Sequence, residues 1–133
     1  MKKEIDKLAW LHIQDGKLLS ARSKDKVLFY IPGGKREAGE SDEQALIREV
    51  KEEISVDLIP DSIQYAKTFK AHADGKNSDT VVKLTCYFAD FHGELAPAAE
   101  IEEIDFIDYQ DKDLCSLGSI KVMDWLKGKG LLH

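Results

Sequence analysis

Three carboxylates, Glu49, Glu52 and Glu53, fall within five residues of one another, downstream of the pair Gly33-Gly34. Glu40 and Arg48 stand between the two groups, and seven of the eighteen residues from 37 to 54 are acidic. Carboxylates at i, i+3 and i+4 on a rigid helix offer oxygen ligands to one side. A magnesium ion takes such ligands and keeps several waters, leaving room for substrate. Like charges this close repel, so without an ion at least one of the three should bind its proton above the usual carboxylate range. A solvated helix face is the competing reading, and the joint spacing with Gly34, Glu40 and Arg48 argues against it. Arg48, next to Glu49 and four residues before Glu52, is placed to fix a carboxylate rotamer through a bidentate pair. The glycines let backbone groups approach a ligand closely.

The elements that must position these groups follow from local pattern. Ser41 and Gln44 form a capping box, so a helix should start there. Leu46, Ile47, Val50 and Ile54 recur at spacings of three and four, which turns one stripe toward a core. At about 100° per residue, Glu49, Glu52 and Glu53 share an arc of ~100° beside that stripe. Upstream, residues 8–13 and 17–22 read as a β-hairpin around Asp15-Gly16, and residues 26–34 as a short strand stopped by Pro32 and released into a loop by the glycines. Downstream, residues 63–69 read as a strand, 70–79 as a polar loop, and 80–91 as a strand with Val82, Leu84, Cys86 and Phe88 on one side. Residues 100–111 offer an acidic strand. Residues 118–130 read as a short amphipathic helix carrying Ile120, Met123, Trp125 and Leu126. Strands separated by two helices imply a mixed α/β domain, and 133 residues suit one compact unit, residues 1–133.

The stretch Gly34 to Val56 resembles the signature of the Nudix hydrolases, Gly-x5-Glu-x7-Arg-Glu-U-x-Glu-Glu-x-Gly-U, with U aliphatic. Gly34, Glu40, Arg48, Glu49, Val50, Glu52, Glu53 and Val56 match, and Ser55 stands where the second glycine is expected. Eight such matches arise by chance on the order of once in 10⁸ start positions. The resemblance implies an α/β/α sandwich with a mixed sheet and Mg²⁺, or Mn²⁺, as cofactor. It also implies that Glu52 and Glu53 are the main metal ligands and Glu49 a further ligand or the base, with the Gly33 carbonyl completing the sphere. Arg48 then orients carboxylates, and Gly34 and Glu40 support them. The reaction implied is attack of water on phosphorus in a diphosphate linkage of a nucleoside diphosphate joined to a moiety X. A MutT-like nucleoside triphosphate pyrophosphohydrolase is preferred. Hydrolysis of nucleotide sugars, ADP-ribose or dinucleotides is the alternative, and a nucleotide-sensing domain without turnover is a third. At the position of Ser55, the last helical turn should close in the left-handed region, which costs a serine about 1 kcal/mol.

Outside the signature several residues carry two readings. Glu100, Glu102 and Glu103 are candidates for an extra ligand or base, against a charged loop or edge strand. Arg22 and Lys35 flank the glycine turn and could meet phosphate oxygens, as could His72 and Lys70; surface charge is the alternative for each. Trp10, Phe29 and Tyr30 could stack on a base, but aromatic residues in strands are more often core. Asp74 to Asp79 superficially resembles a calcium loop without its closing Glu. Net charge of −6 argues against nucleic acid as partner, because that affinity comes from Lys and Arg. The apolar runs are too short for a membrane span, no secretory signal is visible, and Cys86 and Cys115 form no paired motif. The expectation is a cytoplasmic protein acting on a small nucleotide-like substrate, as monomer or homodimer.

Overall fold

The computed structural model describes residues 3–73 and 79–133. In chain order its elements are β1 (Lys3–Leu11), β2 (Ile13–Gln14), β3 (Lys17–Ser23), β4 (Gly33–Gly34), α1 (Asp42–Ile54), β5 (Asp57–Leu58), β6 (Gln64–His72), β7 (Thr80–Phe88), β8 (Phe91–His92), β9 (Ile101–Ile107) and α2 (Leu117–Gly128). A mixed sheet runs β4-β1-β7-β6, with β1 and β7 parallel and the other neighbours antiparallel. A second, antiparallel sheet runs β2-β3-β9, and β5 pairs with β8.

Leu8, Ala9, Trp10 and Leu11 are all buried, so β1 is covered on both faces and alternates between two cores. Leu8 and Trp10 join Leu19, Ala21 and the apolar stripe of α1: Ala45, Leu46, Val50 and Ile54. Ala9 and Leu11 join Leu18, Cys86 and the stripe of α2: Val122, Met123 and Leu126. The α/β/α sandwich expected from the sequence is the result. Both cysteines are free and buried. Among the described residues no helix is long and apolar enough to cross a membrane.

Three local expectations are corrected. The hairpin exists only at its tip, where Ile13 and Gln14 pair with Leu18 and Lys17 across Asp15 and Gly16, both at positive φ. Leu8 to Leu11 leave it to pair with β7, because a hairpin open to water on one face cannot bury four consecutive apolar side chains. Residues 27–32 form no strand; Phe29 and Tyr30 make single bridges to Cys115 and Ala21, and regular pairing resumes only at the two glycines. Finally, β6 runs past the expected loop start as far as His72, since Ala71 and His72 still pair with Val82 and Val81. Lys70 and His72 therefore lie on a strand. Most of the stretch that resembles a calcium loop, residues 74–78, lies outside the described residues.

Candidate active site

Helix α1 begins as the sequence predicts. The Ser41 side chain accepts from the Gln44 N–H and the Gln44 side chain accepts from the Ser41 N–H, which satisfies two N–H groups at the start of the helix. At the other end Ser55 takes the left-handed conformation, φ 74°, and its hydroxyl donates to the Ala96 carbonyl at 2.9 Å. Between these ends the three carboxylates share a helix but not an environment.

Glu53 turns inward. Its Oε1 accepts from the Gly33 N–H at 3.0 Å, and burial pushes its carboxyl up to about 7. The Gly33 hydrogen bond pulls in the opposite direction, and the charge of Glu49 adds to the rise. Like-charge repulsion was the expected cause of a raised value; desolvation is the larger one. The turn that brings Gly33 to Glu53 tolerates no side chain. Gly33 sits at φ +148°, and a Cβ there would overlap the Leu8 carbonyl on β1. A Cβ on Gly34 would overlap the Glu49 carboxylate. The two glycines thus let β1 and α1 approach the same turn from opposite sides.

Glu49 and Glu52 belong to an arginine-centred cluster. Arg48 Nε and Nη2 donate to the two oxygens of Glu40 at 2.7 and 2.9 Å. Its Nη1 reaches Glu49 at 2.8 Å and Glu52 at 3.4 Å, and Nη2 also donates to the Lys35 carbonyl at 3.1 Å. The bidentate pair is therefore made with Glu40, while Glu49 and Glu52 receive single contacts. Glu40 in turn accepts from the Glu37 N–H, and together with Arg48 this holds its carboxyl at about 2. One charged side chain so ties the glycine turn, the loop after it and the helix together. Glu49 is 20% exposed and Glu52 56%, so the outer carboxylate faces water and the inner ones do not.

An oxygen-only donor set of three carboxylates beside a backbone turn fits a hard divalent cation such as Mg²⁺ or Mn²⁺. Among the described residues, half-buried Glu53 also makes no ion pair, and the charge of Lys7 only partly offsets the effect of its burial. Among the same residues no three carboxylate, imidazole or thiolate groups converge on a common point, because Arg48 draws Glu49 and Glu52 outward while Glu53 faces Gly33.

A cavity of about 250 Å³ opens beside Glu53 and Gly33, lined among others by Lys7, Tyr30, Leu84, His72 and Ile101. His72 and Tyr30 are brought to the site. Trp10 and Phe29 are core, Trp10 donating its indole N–H to the Ala89 carbonyl. Lys35 is exposed beside the turn. Glu100 is close enough for its charge to raise the Glu53 carboxyl further. Glu103 is held instead by Arg22, which pairs with Glu102 at 2.6 Å and Glu103 at 3.2 Å and donates to the Lys26 carbonyl at 3.1 Å.

The NUDIX domain profile matches residues 3–126, which include every group described above. The chain belongs to the Nudix family. It is 28% identical over 123 residues to the Nudix hydrolase YvcI of Bacillus subtilis, covering 90% of this chain and 77% of that protein. The solution structure of the Escherichia coli ORF135 protein is similar with a TM-score of 0.70 at 26% identity, over 92% of this chain and 88% of the other. The MutT NUDIX hydrolase of Burkholderia pseudomallei shares the fold with a TM-score of 0.67 at 22% identity, over 82% and 86% of the two chains. As a Nudix hydrolase the protein acts on pyrophosphate bonds, and the family in general uses divalent metal ions.

Lys7 is a cavity residue that the sequence reading missed. A signal was present: Ile5, Lys7, Ala9 and Leu11 alternate along one strand face, and a lysine in such a row is out of place. Starting the strand at Leu8 hid it.

Proposed function

We propose that residues 1–133 act as one Nudix hydrolase domain that cleaves the diphosphate linkage of a nucleoside diphosphate joined to a moiety X, with a nucleoside triphosphate as the preferred substrate class. The observation that carries this reading is the half-buried Glu53, hydrogen-bonded to the Gly33 N–H and opening onto a cavity able to take part of a small nucleotide. Glu49, Glu52 and Glu53 would hold Mg²⁺ or Mn²⁺ with the Gly33 backbone. The ion, when bound, neutralises charge on the phosphoryl and leaving oxygens. Arg48 fixes the Glu49 and Glu40 rotamers, and Gly34 gives Glu49 its space. Glu49 is either a further ligand or the base that takes the proton from the attacking water. Ile5, Leu8, Val82, Leu84 and Ile101 give the cavity aliphatic walls beside its polar groups. Arg22, Lys35, His72, Glu100 and Glu103 are the candidates for contact with the remainder of the substrate. Of these, Lys35, His72 and Glu100 have the supporting placement.

The test is a panel of nucleoside triphosphates, nucleotide sugars, ADP-ribose and dinucleotides, incubated with Mg²⁺ or Mn²⁺ and with an EDTA control, products being separated by chromatography. Release of pyrophosphate from a triphosphate is the expected result. Cleavage confined to sugars, ADP-ribose or dinucleotides replaces the preferred class with the alternative. Metal and nucleotide binding without turnover would overturn the enzymatic reading of this chain.

A further inference from the structure

Lys7 is half-buried on β1, in the wall of the cavity that Glu53 and Gly33 also line. Among the described residues its ammonium makes no ion pair, and it lies over the Tyr30 ring, 5.9 Å from Nζ to centroid. Its surroundings do little to hold a charge. Burial lowers its pKa, and the positive charges of Lys35 and Lys26 lower it further; only Glu53 and Glu49 act in the other direction. A cation so placed costs stability, because the distant face of the Tyr30 ring returns less than the water it replaces. Methionine or leucine would pack against Ile5 and Leu84 at lower cost. Lys26 and His72 line the same cavity, so three basic side chains face a space whose other walls are largely aliphatic.

We propose that Lys7 is a specificity-determining residue whose ammonium binds a non-reacting phosphate of the substrate, the one adjoining the group that enters the cavity. The inference rests on the Nudix reading of the site above. Lysine suits this task as a compact point charge on a flexible stem. A phosphate lying between Lys7 and the carboxylates of α1 would meet the Lys7 ammonium on one side and, when it is bound, the ion held by Glu49, Glu52 and Glu53 on the other. The same contact persists from ground state to transition state, so it acts on KM more than on kcat.

Lys7→Met and Lys7→Arg are compared with wild type in three measurements. With whichever nucleotide the panel shows to be cleaved, Lys7→Met should raise KM about tenfold and change kcat less than about threefold, and Lys7→Arg should recover part of the loss. Calorimetric binding of inorganic tripolyphosphate with Mg²⁺, which is independent of the base, should weaken about tenfold in Lys7→Met. The melting temperature of Lys7→Met should equal or exceed that of wild type. KM and tripolyphosphate affinity both within about twofold of wild type overturn the proposal. So does a lowered melting temperature with unchanged affinity, which would make Lys7 a structural residue, and so does a wild type that binds no tripolyphosphate. Lys7→Gln replaces the methionine variant if that variant does not fold. If wild type cleaves nothing in the panel, the proposed function fails, and tripolyphosphate binding still decides the role of Lys7.

Discussion

Two arginines in this chain gather glutamates, and their settings differ. Arg48 on α1 holds Glu40 of the preceding loop and Glu49 and Glu52 of the helix, next to a half-buried carboxylate and a glycine turn that a Cβ would block. Arg22 holds Glu102 and Glu103 across β3 and β9, with both carboxylates half exposed and the guanidinium also tied to the Lys26 carbonyl. By composition the two clusters are nearly the same. The first adjoins Glu53, a half-buried carboxylate that makes no ion pair among the described residues and lines the cavity, whereas the second reaches the same cavity only through Ser23 and Lys26, whose carbonyls Arg22 holds. Local acidity therefore does not mark the site. A charge kept out of water without a partner among the described residues does, because folding alone gives no reason to retain it.

The contrast breaks most visibly at Glu53. Glu53→Gln should lower turnover about 1,000-fold or more while the melting temperature holds or rises, since the amide can still accept from Gly33 and no longer buries a charge. Unchanged turnover would remove Glu53 from the machinery. Arg48→Ala should cost about 10- to 100-fold in turnover, through loss of the fixed Glu49 and Glu40 rotamers, with weaker Mg²⁺ binding as an independent readout. Retention of both would reduce the cluster to surface decoration.

The pH dependence of the metal-free protein sharpens the same point. Glu53 binds its proton at about 7 in the folded chain, above its ordinary value of 4.5, so the folded state is the better proton binder between the two. That contribution to stability is complete below about 4.5 and is lost as pH rises through about 7. Thermal melts across this window with EDTA should show the decline, and saturating Mg²⁺ should remove it. A flat profile with EDTA would mean that Glu53 is not the strained group. Ser55→Gly should raise the melting temperature slightly, because glycine adopts φ 74° without the ~1 kcal/mol cost to serine, offset in part by the lost hydroxyl bond to Ala96. A lower melting temperature would give the hydroxyl bond the larger share. The smallest effect is expected at the other cluster: Arg22→Ala should leave KM and kcat within about twofold, and a larger rise in KM would return Arg22 to the substrate contacts.

The helix carrying the carboxylates was legible because its signals are local. A capping box and a stripe at helical spacing each depend on residues within a few positions of one another, and both are present. The sandwich followed from the order of such segments. Pairing was less legible. Whether Leu8 to Leu11 join β3 or β7 depends on which partner can cover both faces of the strand, and β7 begins about seventy residues later. The extent of β6 was hidden because Lys70 and His72 look like loop residues until β7 is set beside them; Lys70 in fact pairs with Lys83 and His72 with Val81.

Sequence alone carries the spacing of Gly34, Glu40, Arg48, Glu49, Glu52 and Glu53, and the resemblance of that spacing to the Nudix signature carries the reaction class, because carboxylate periodicity on one helix needs no partner to be read. The folded arrangement sets which of the three glutamates turns toward Gly33, which arginine holds the other two, and that a lysine on the first strand lines the cavity beside Glu53. Those distinctions depend on desolvation and on contacts between segments far apart in the chain, and neither is a property of any one stretch of residues.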